Sequence, residues 1–86
     1  MFGADSMVLR LLAAILEAIS GRLAAIEGNV NGRVETMSWT GGDADRFRSK
    51  WTGTSAPSMR DASSVLGEAA QAIRGDAQRQ DQVSGL

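Results

Sequence analysis

The large apolar residues of the first half of the chain fall at Val8, Leu12, Ile15, Ile19, Leu23, Ile26, Val30, Val34 and Met37. The steps between them run four, three, four, four, three, four, four and three, close to the ~3.6 residues of an α-helical turn. This spacing predicts one long helix over about 5–38, with Asp5 or Ser6 as N-cap candidates and a stop between Ser38 and the pair Gly41-Gly42. At ~1.5 Å per residue such a helix is a rod of roughly 45–50 Å, too long to have a globule of its own to pack on. A second line, Ala14, Ala18, Gly21, Ala25, Gly28, Gly32, runs beside the first. Each glycine costs up to ~1 kcal/mol of helix propensity, so the line is either a groove for a closely approaching helix or local looseness in a marginal one. Leu9, Leu11 and Leu16 widen the apolar arc beyond what one neighbouring helix covers, which predicts contact with two or more helices.

A second helical pattern starts at Asp43, a good N-cap, and passes through Ala44, Phe47 and Trp51, then Met59, Ala62, Leu66, Ala69, Ile73 and Ala77. Its one fault is T-G-T-S-A-P at 52–57, where Pro57 lacks a backbone donor and crowds the carbonyl of Gly53. A kink is expected near 53–57, continuation to about Gln80, and fraying over 82–86. No stretch alternates with period two. The expectation is an all-α, single-domain antiparallel helix-turn-helix hairpin over 1–86, turning at 39–42. An exposed apolar stripe on the first helix then predicts pairing of two hairpins into a four-helix bundle dimer, with Leu12, Ile15, Ile19, Leu23 and Ile26 as the dimer seam.

Composition narrows the function. The chain has 86 residues and neither cysteine, histidine nor tyrosine. A chain this short is marginally stable alone and calls for a staple or a partner. The missing residue types remove disulfides, thiolate metal sites and the commonest general base, so no catalytic residue, no metal site, no cofactor and no enzyme activity are expected. Nine basic residues against ten acidic ones give a net charge of -1 without a basic cluster, which argues against nucleic acid. The run Met7 to Leu16 looks like a signal-peptide core, but Arg10 and Glu17 interrupt it and no positive segment precedes it. Export, if it occurs, is expected without a cleaved leader. The same run is too short to span a membrane. A membrane-active amphipathic hairpin is the weaker alternative, because residues 1–21 hold one basic residue, Arg10, until the sequence reaches Arg22.

Both tryptophans lie in one phrase, S-W-T-G-G-D-A-D-R-F-R-S-K-W-T-G at 38–53. One reading makes Phe47 and Trp51 an aromatic plug beside Val34 and Met37 at the turn. The other makes the indole at the bend a half-exposed recognition knob. Trp39-X-Gly41 at the bend, followed by Asp43-Ala44, Phe47 and Trp51 at helical spacing, resembles the WXG family, also called the early-secreted-antigen-like or Esx proteins, in its actinobacterial form. The resemblance extends over nearly the whole chain, including the tail A-Q-R-Q-D-Q-V-S.

That resemblance implies a non-catalytic helical hairpin that forms a homodimer or heterodimer and is exported folded by a type VII secretion system. Trp39 and Gly41 become the motif and recognition residues, lying near the partner's C-terminal tail. Many members carry a Tyr-X-X-X-Asp/Glu element after the second helix, read by the secretion ATPase. This chain has no tyrosine there, and Asp76 and Asp81 are loose substitutes. A partner chain supplying that signal, a larger toxin or effector as cargo, or an intracellular adaptor role follow as alternatives. Localisation is expected to be secreted, or cytoplasmic before export.

Overall fold

A computed structural model describes the backbone of residues 2–84 and the side chains of residues 5–83. The described chain is helical throughout except at one bend. Helix α1 spans Phe2–Thr36, and the second arm comprises α2 (Gly42–Lys50), a π-helical turn (Trp51–Ser55) and α3 (Ala56–Ser84). The arms pack side by side into a rod of 66 × 16 × 14 Å.

Helix α1 ends where the Met37 N–H donates to the Arg33 carbonyl at 2.9 Å and the chain departs through Ser38-Trp39-Thr40. Gly41 makes the bend, with φ 112° and ψ 177°, a combination that a side chain disfavours strongly. The Gly41 carbonyl accepts the first helical bond of α2, from the Asp45 N–H at 3.0 Å. Asp43 is therefore not the N-cap. The helix starts one residue earlier, at Gly42, and Asp43 and Asp45 sit in its first turn, where their charge suits the positive end of the helix dipole. Neither Asp5 nor Ser6 begins α1, since the helix is already formed at Phe2. Ser6 is buried inside the helix, and its hydroxyl donates to Asp81 of the other arm.

Pro57 does not break the second arm. The chain absorbs the missing donor upstream, where residues 51–55 widen to a π-helix and the Ala56 N–H donates to the Trp51 carbonyl, five residues back. One extra residue thus enters the turn just before the proline ring, and the arm bends without interruption. The tail expected to fray from Gln82 is helical through Ser84, and residues 85–86 lie outside the described part.

The seam between the arms follows a strict heptad. On α1 the buried and half-buried positions are Ser6, Leu9, Ala13, Leu16, Ser20, Leu23, Glu27, Val30 and Val34, stepping three and four in alternation. On α3 they include Ala56, Met59, Ser63, Leu66, Ala70, Ile73, Ala77 and Gln80 with the same alternation. Every second position is small over Ser6, Ala13 and Ser20 on α1 and over Ala56, Ser63, Ala70 and Ala77 on α3, so the helices approach closely there. Ser20 and Ser63 exchange hydrogen bonds with each other's backbone carbonyls at 2.7 and 2.9 Å. A Cβ placed on Gly67 would stand 3.5 Å from the Ser20 hydroxyl. The large aliphatic side chains of the seam, Leu9, Leu16, Leu23, Leu66 and Ile73, are each half-buried. Ala13, Ala70 and Ala77 are fully buried, whereas no large side chain among the described residues is. The largest buried group is Trp51, packed with Val34 and Ala56 and flanked by Val30 and Met59.

Candidate pairing face and bend

The heptad divides each arm into two flanks of opposite character. Residues four past a seam position lie on one flank. These are Arg10, Glu17 and Asn31 on α1, and Arg60, Gly67, Arg74 and Asp81 on α3. Ion pairs close this flank: Arg60 with Glu27 at 2.5 Å, Arg74 with Glu17, and Arg10 with Asp81 at 2.5 Å. The pairs of Arg74 with Glu17 and Arg10 with Asp81 are partly solvent-exposed on both sides and contribute little to stability, whereas the Glu27 side chain is mostly buried beneath Arg60. The Asp81 carboxyl is held below its ordinary pKa, first by the Ser6 hydroxyl and then by Arg10.

Residues one before a seam position lie on the opposite flank. On α1 these include Leu12, Ile19, Ile26 and Arg33, with Val8, Ile15, Arg22 and Asn29 beside them, and on α3 Ala62, Ala69 and Asp76, with Val65, Ala72 and Arg79 beside them. No ion pair joins the arms across this flank among the described residues, and the one pair on it, Asp76 with Arg79, lies within α3. Val8, Leu12, Ile15, Ile19 and Ile26 remain 42–64 % exposed. Four of the five residues expected as a dimer seam thus share one uncovered face. The fifth, Leu23, belongs to the seam within the hairpin, because the heptad turns it towards α3 together with Ser20 and Glu27.

At the bend the two tryptophans separate. Trp51 is 7 % exposed, in the core with Val34, and its indole N–H reaches the Asn31 side-chain oxygen at 3.4 Å. Trp39 is 43 % exposed and lies tilted against Phe47, itself 41 % exposed, with ring centroids 6.1 Å apart. Phe47 therefore joins Trp39 on the outside of the bend, apart from Trp51 and its cluster. The Arg48 guanidinium donates to the Trp39 carbonyl at 2.6 Å and fixes the loop against α2. Gly41 supplies the turn beneath this pair. Sequence reasoning placed Phe47 and Trp51 together because they are four apart, and the Trp51 backbone N–H does donate to the Phe47 carbonyl, but Phe47 packs against Trp39 and Trp51 packs against Val34 and Ala56.

The small-residue line on α1 faces away from α3. Nothing stands within 4 Å of a Cβ built on Gly21, Gly28 or Gly32, so no helix of this chain fills the groove. Among the described residues no three Asp, Glu, His or Cys side chains gather as a metal site. No helix is long and apolar enough to cross a membrane. No family model, curated protein or solved structure matches the chain.

Proposed function

We propose that this chain is a non-catalytic pairing module of a type VII secretion system, a small substrate or targeting partner that works by docking a second helical hairpin on its uncovered flank. The observation that carries the reading is the row Val8, Leu12, Ile15, Ile19 and Ile26, left about half exposed by a hairpin whose own seam alternates leucine, isoleucine, valine and methionine with serine and alanine. A monomer with that division leaves a whole aliphatic row facing water, an imbalance between its covered and uncovered flanks. Covering the flank with two further helices to make a four-helix bundle reverses the imbalance.

The secretion role is supported by the resemblance of Trp39-X-Gly41 and its surroundings to the WXG family, and by the placement of those residues. Trp39 stands at the tip, half in water, on a loop held by Arg48 and turned by Gly41. A rigid, accessible indole of this kind is suited to recognition. The test is export. In a host with an intact secretion ATPase the protein should appear in the culture supernatant, and inactivating the ATPase should confine it to the lysate.

A second reading, an intracellular adaptor for a larger toxin or effector, is favoured by the C-terminal segment. No tyrosine is present, and Asp81 is engaged by Ser6 and Arg10 of its own chain. Confinement to the lysate with the ATPase intact, together with a co-purifying larger chain, would select the adaptor.

A further inference from the structure

We infer that the last turns of α3, residues 78–84, are a releasable clasp. They close on the N-terminal end of α1 through Asp81, Ser6 and Arg10, and they open while the rest of the hairpin stays folded. The clasp does not depend on what docks on the uncovered flank.

The two ends of the hairpin are closed by different chemistry. At the bend the arms meet on Trp51, Val34 and Ala56, with Val30 and Met59 packed around them. At the other end the last large aliphatic residue of the α3 seam is Ile73, and the last buried residue is Ala77. The next seam position is Gln80, and Val83 beyond it is exposed. Past Ala77, therefore, no described apolar side chain of α3 is buried.

One carboxylate holds these turns to α1. The Ser6 hydroxyl donates to one oxygen of Asp81 and the Arg10 guanidinium to the other, each at 2.5 Å. Ser6 is buried, so its bond is shielded from water on the α1 side, while Arg10 and Asp81 are half exposed. Both bonds are charge-assisted and favour the closed state.

Gln80 acts the other way. Its side-chain carbonyl oxygen is buried and has no hydrogen-bond partner among the described residues, so closing strips it of water and returns nothing. Opening hydrates that oxygen and releases Asp81 at the same moment. The loss and the gain are of the same order and lie on adjacent residues, so this end of the arm has two accessible states. The seam at Ser20 and Ser63 differs, because there each hydroxyl bonds to the other arm's backbone carbonyl. Opening frees the Ser6 hydroxyl, the Arg10 guanidinium and the Asp81 carboxylate together and turns the end of α3 from packed helix into free chain.

Amide hydrogen exchange, read by mass spectrometry at a concentration where the chain is helical, separates a clasp from a fraying end. Ser6 and Arg10 lie 75 and 71 residues from Asp81, so substitutions there leave the helix propensity of 78–84 untouched. Gln80→Leu removes the stranded oxygen at nearly equal helix propensity and should slow exchange over 79–84 by about tenfold, with 59–73 unchanged. Adding Ser6→Ala or Arg10→Gln to Gln80→Leu should reverse most of that slowing. Exchange over 79–84 that ignores both α1 substitutions is simple fraying and overturns the clasp. Exchange that rises over 79–84 and 59–73 together also overturns it, since the end then has no opening of its own. If Ser6→Ala unfolds the chain, Arg10→Gln, at the half-exposed side of the contact, decides the same question.

Discussion

Gly41 and Gly21 are both exposed and both have open space where a side chain would go, yet they should respond to alanine in opposite ways. At Gly41 the backbone is held at φ 112°, so Gly41→Ala is expected to cost about 1–3 kcal/mol through strain alone. At Gly21 the backbone is helical, and Gly21→Ala should stabilise the chain by up to about 1 kcal/mol. Urea unfolding of the two variants under identical conditions checks the contrast. The tryptophans make a second pair. Trp51→Ala empties the largest buried site and should cost about 3–5 kcal/mol, enough to unfold a chain of this size, whereas Trp39→Ala should cost under about 1 kcal/mol and act on recognition instead. Unfolding by Trp39→Ala would remove the support for a recognition role. Asp81 carries the pH dependence. Its folded pKa is lowered, so its contribution to stability is present above the ordinary carboxylate pKa and is lost as pH falls through the lowered value. Thermal midpoints from about pH 6 to about pH 3 should converge for the wild type and Asp81→Asn at the acid end and separate above it.

At the scale of elements, the π-turn is what joins two phases of one arm. Ala44 and Trp51 are buried with Arg48 half-buried between them, the next buried residue is Ala56, five further on, and the heptad resumes at Met59. Deleting Thr54 should convert the turn to plain α-helix and rotate Trp51 by about 100° out of its cluster with Val34. The expected result is a loss of several kcal/mol and a rise in Trp51 accessibility to acrylamide quenching. A deletion variant of unchanged stability would mean the widened turn has no structural role.

The helical character, the bend and the position of the fault near Pro57 were legible from spacing, glycine and proline. The seam was legible only in part. An apolar period finds large side chains, and it reached Leu23, Val30, Val34, Met59, Leu66 and Ile73 of the seam but not its small and polar members, Ser6, Ala13, Ser20 and Ser63, so over the first half of α1 the visible stripe marked the face left outside. The signal available was the strict alternation of three and four through Ser6, Leu9, Ala13, Leu16, Ser20 and Leu23, which separates from the 3.6 period over several turns. The split between Trp51 inside and Trp39 with Phe47 outside follows from the path of the bend, which brings Trp39 over Phe47, and spacing along a helix does not announce it.

For the whole molecule, the arrangement predicts that folding and association are one event. A two-helix rod with no large side chain fully buried among its described residues has little to oppose the conformational entropy of ordering two long helices. The exposed row on α1 holds the aliphatic burial that would offset it, about 1.5–3 kcal/mol for each side chain taken fully from water. Stability should therefore rise with protein concentration. Ile19→Asp, placing a charge in that row, should lower helicity and mass together rather than either alone.

The most direct test is the absolute mass of the purified chain by light scattering behind a sizing column, with helicity recorded on the same fractions. The account predicts twice 9.1 kDa wherever the chain is helical, with helicity lost on dilution as the assembly comes apart. A cooperatively folded species of 9.1 kDa that keeps its helicity at every concentration would contradict it.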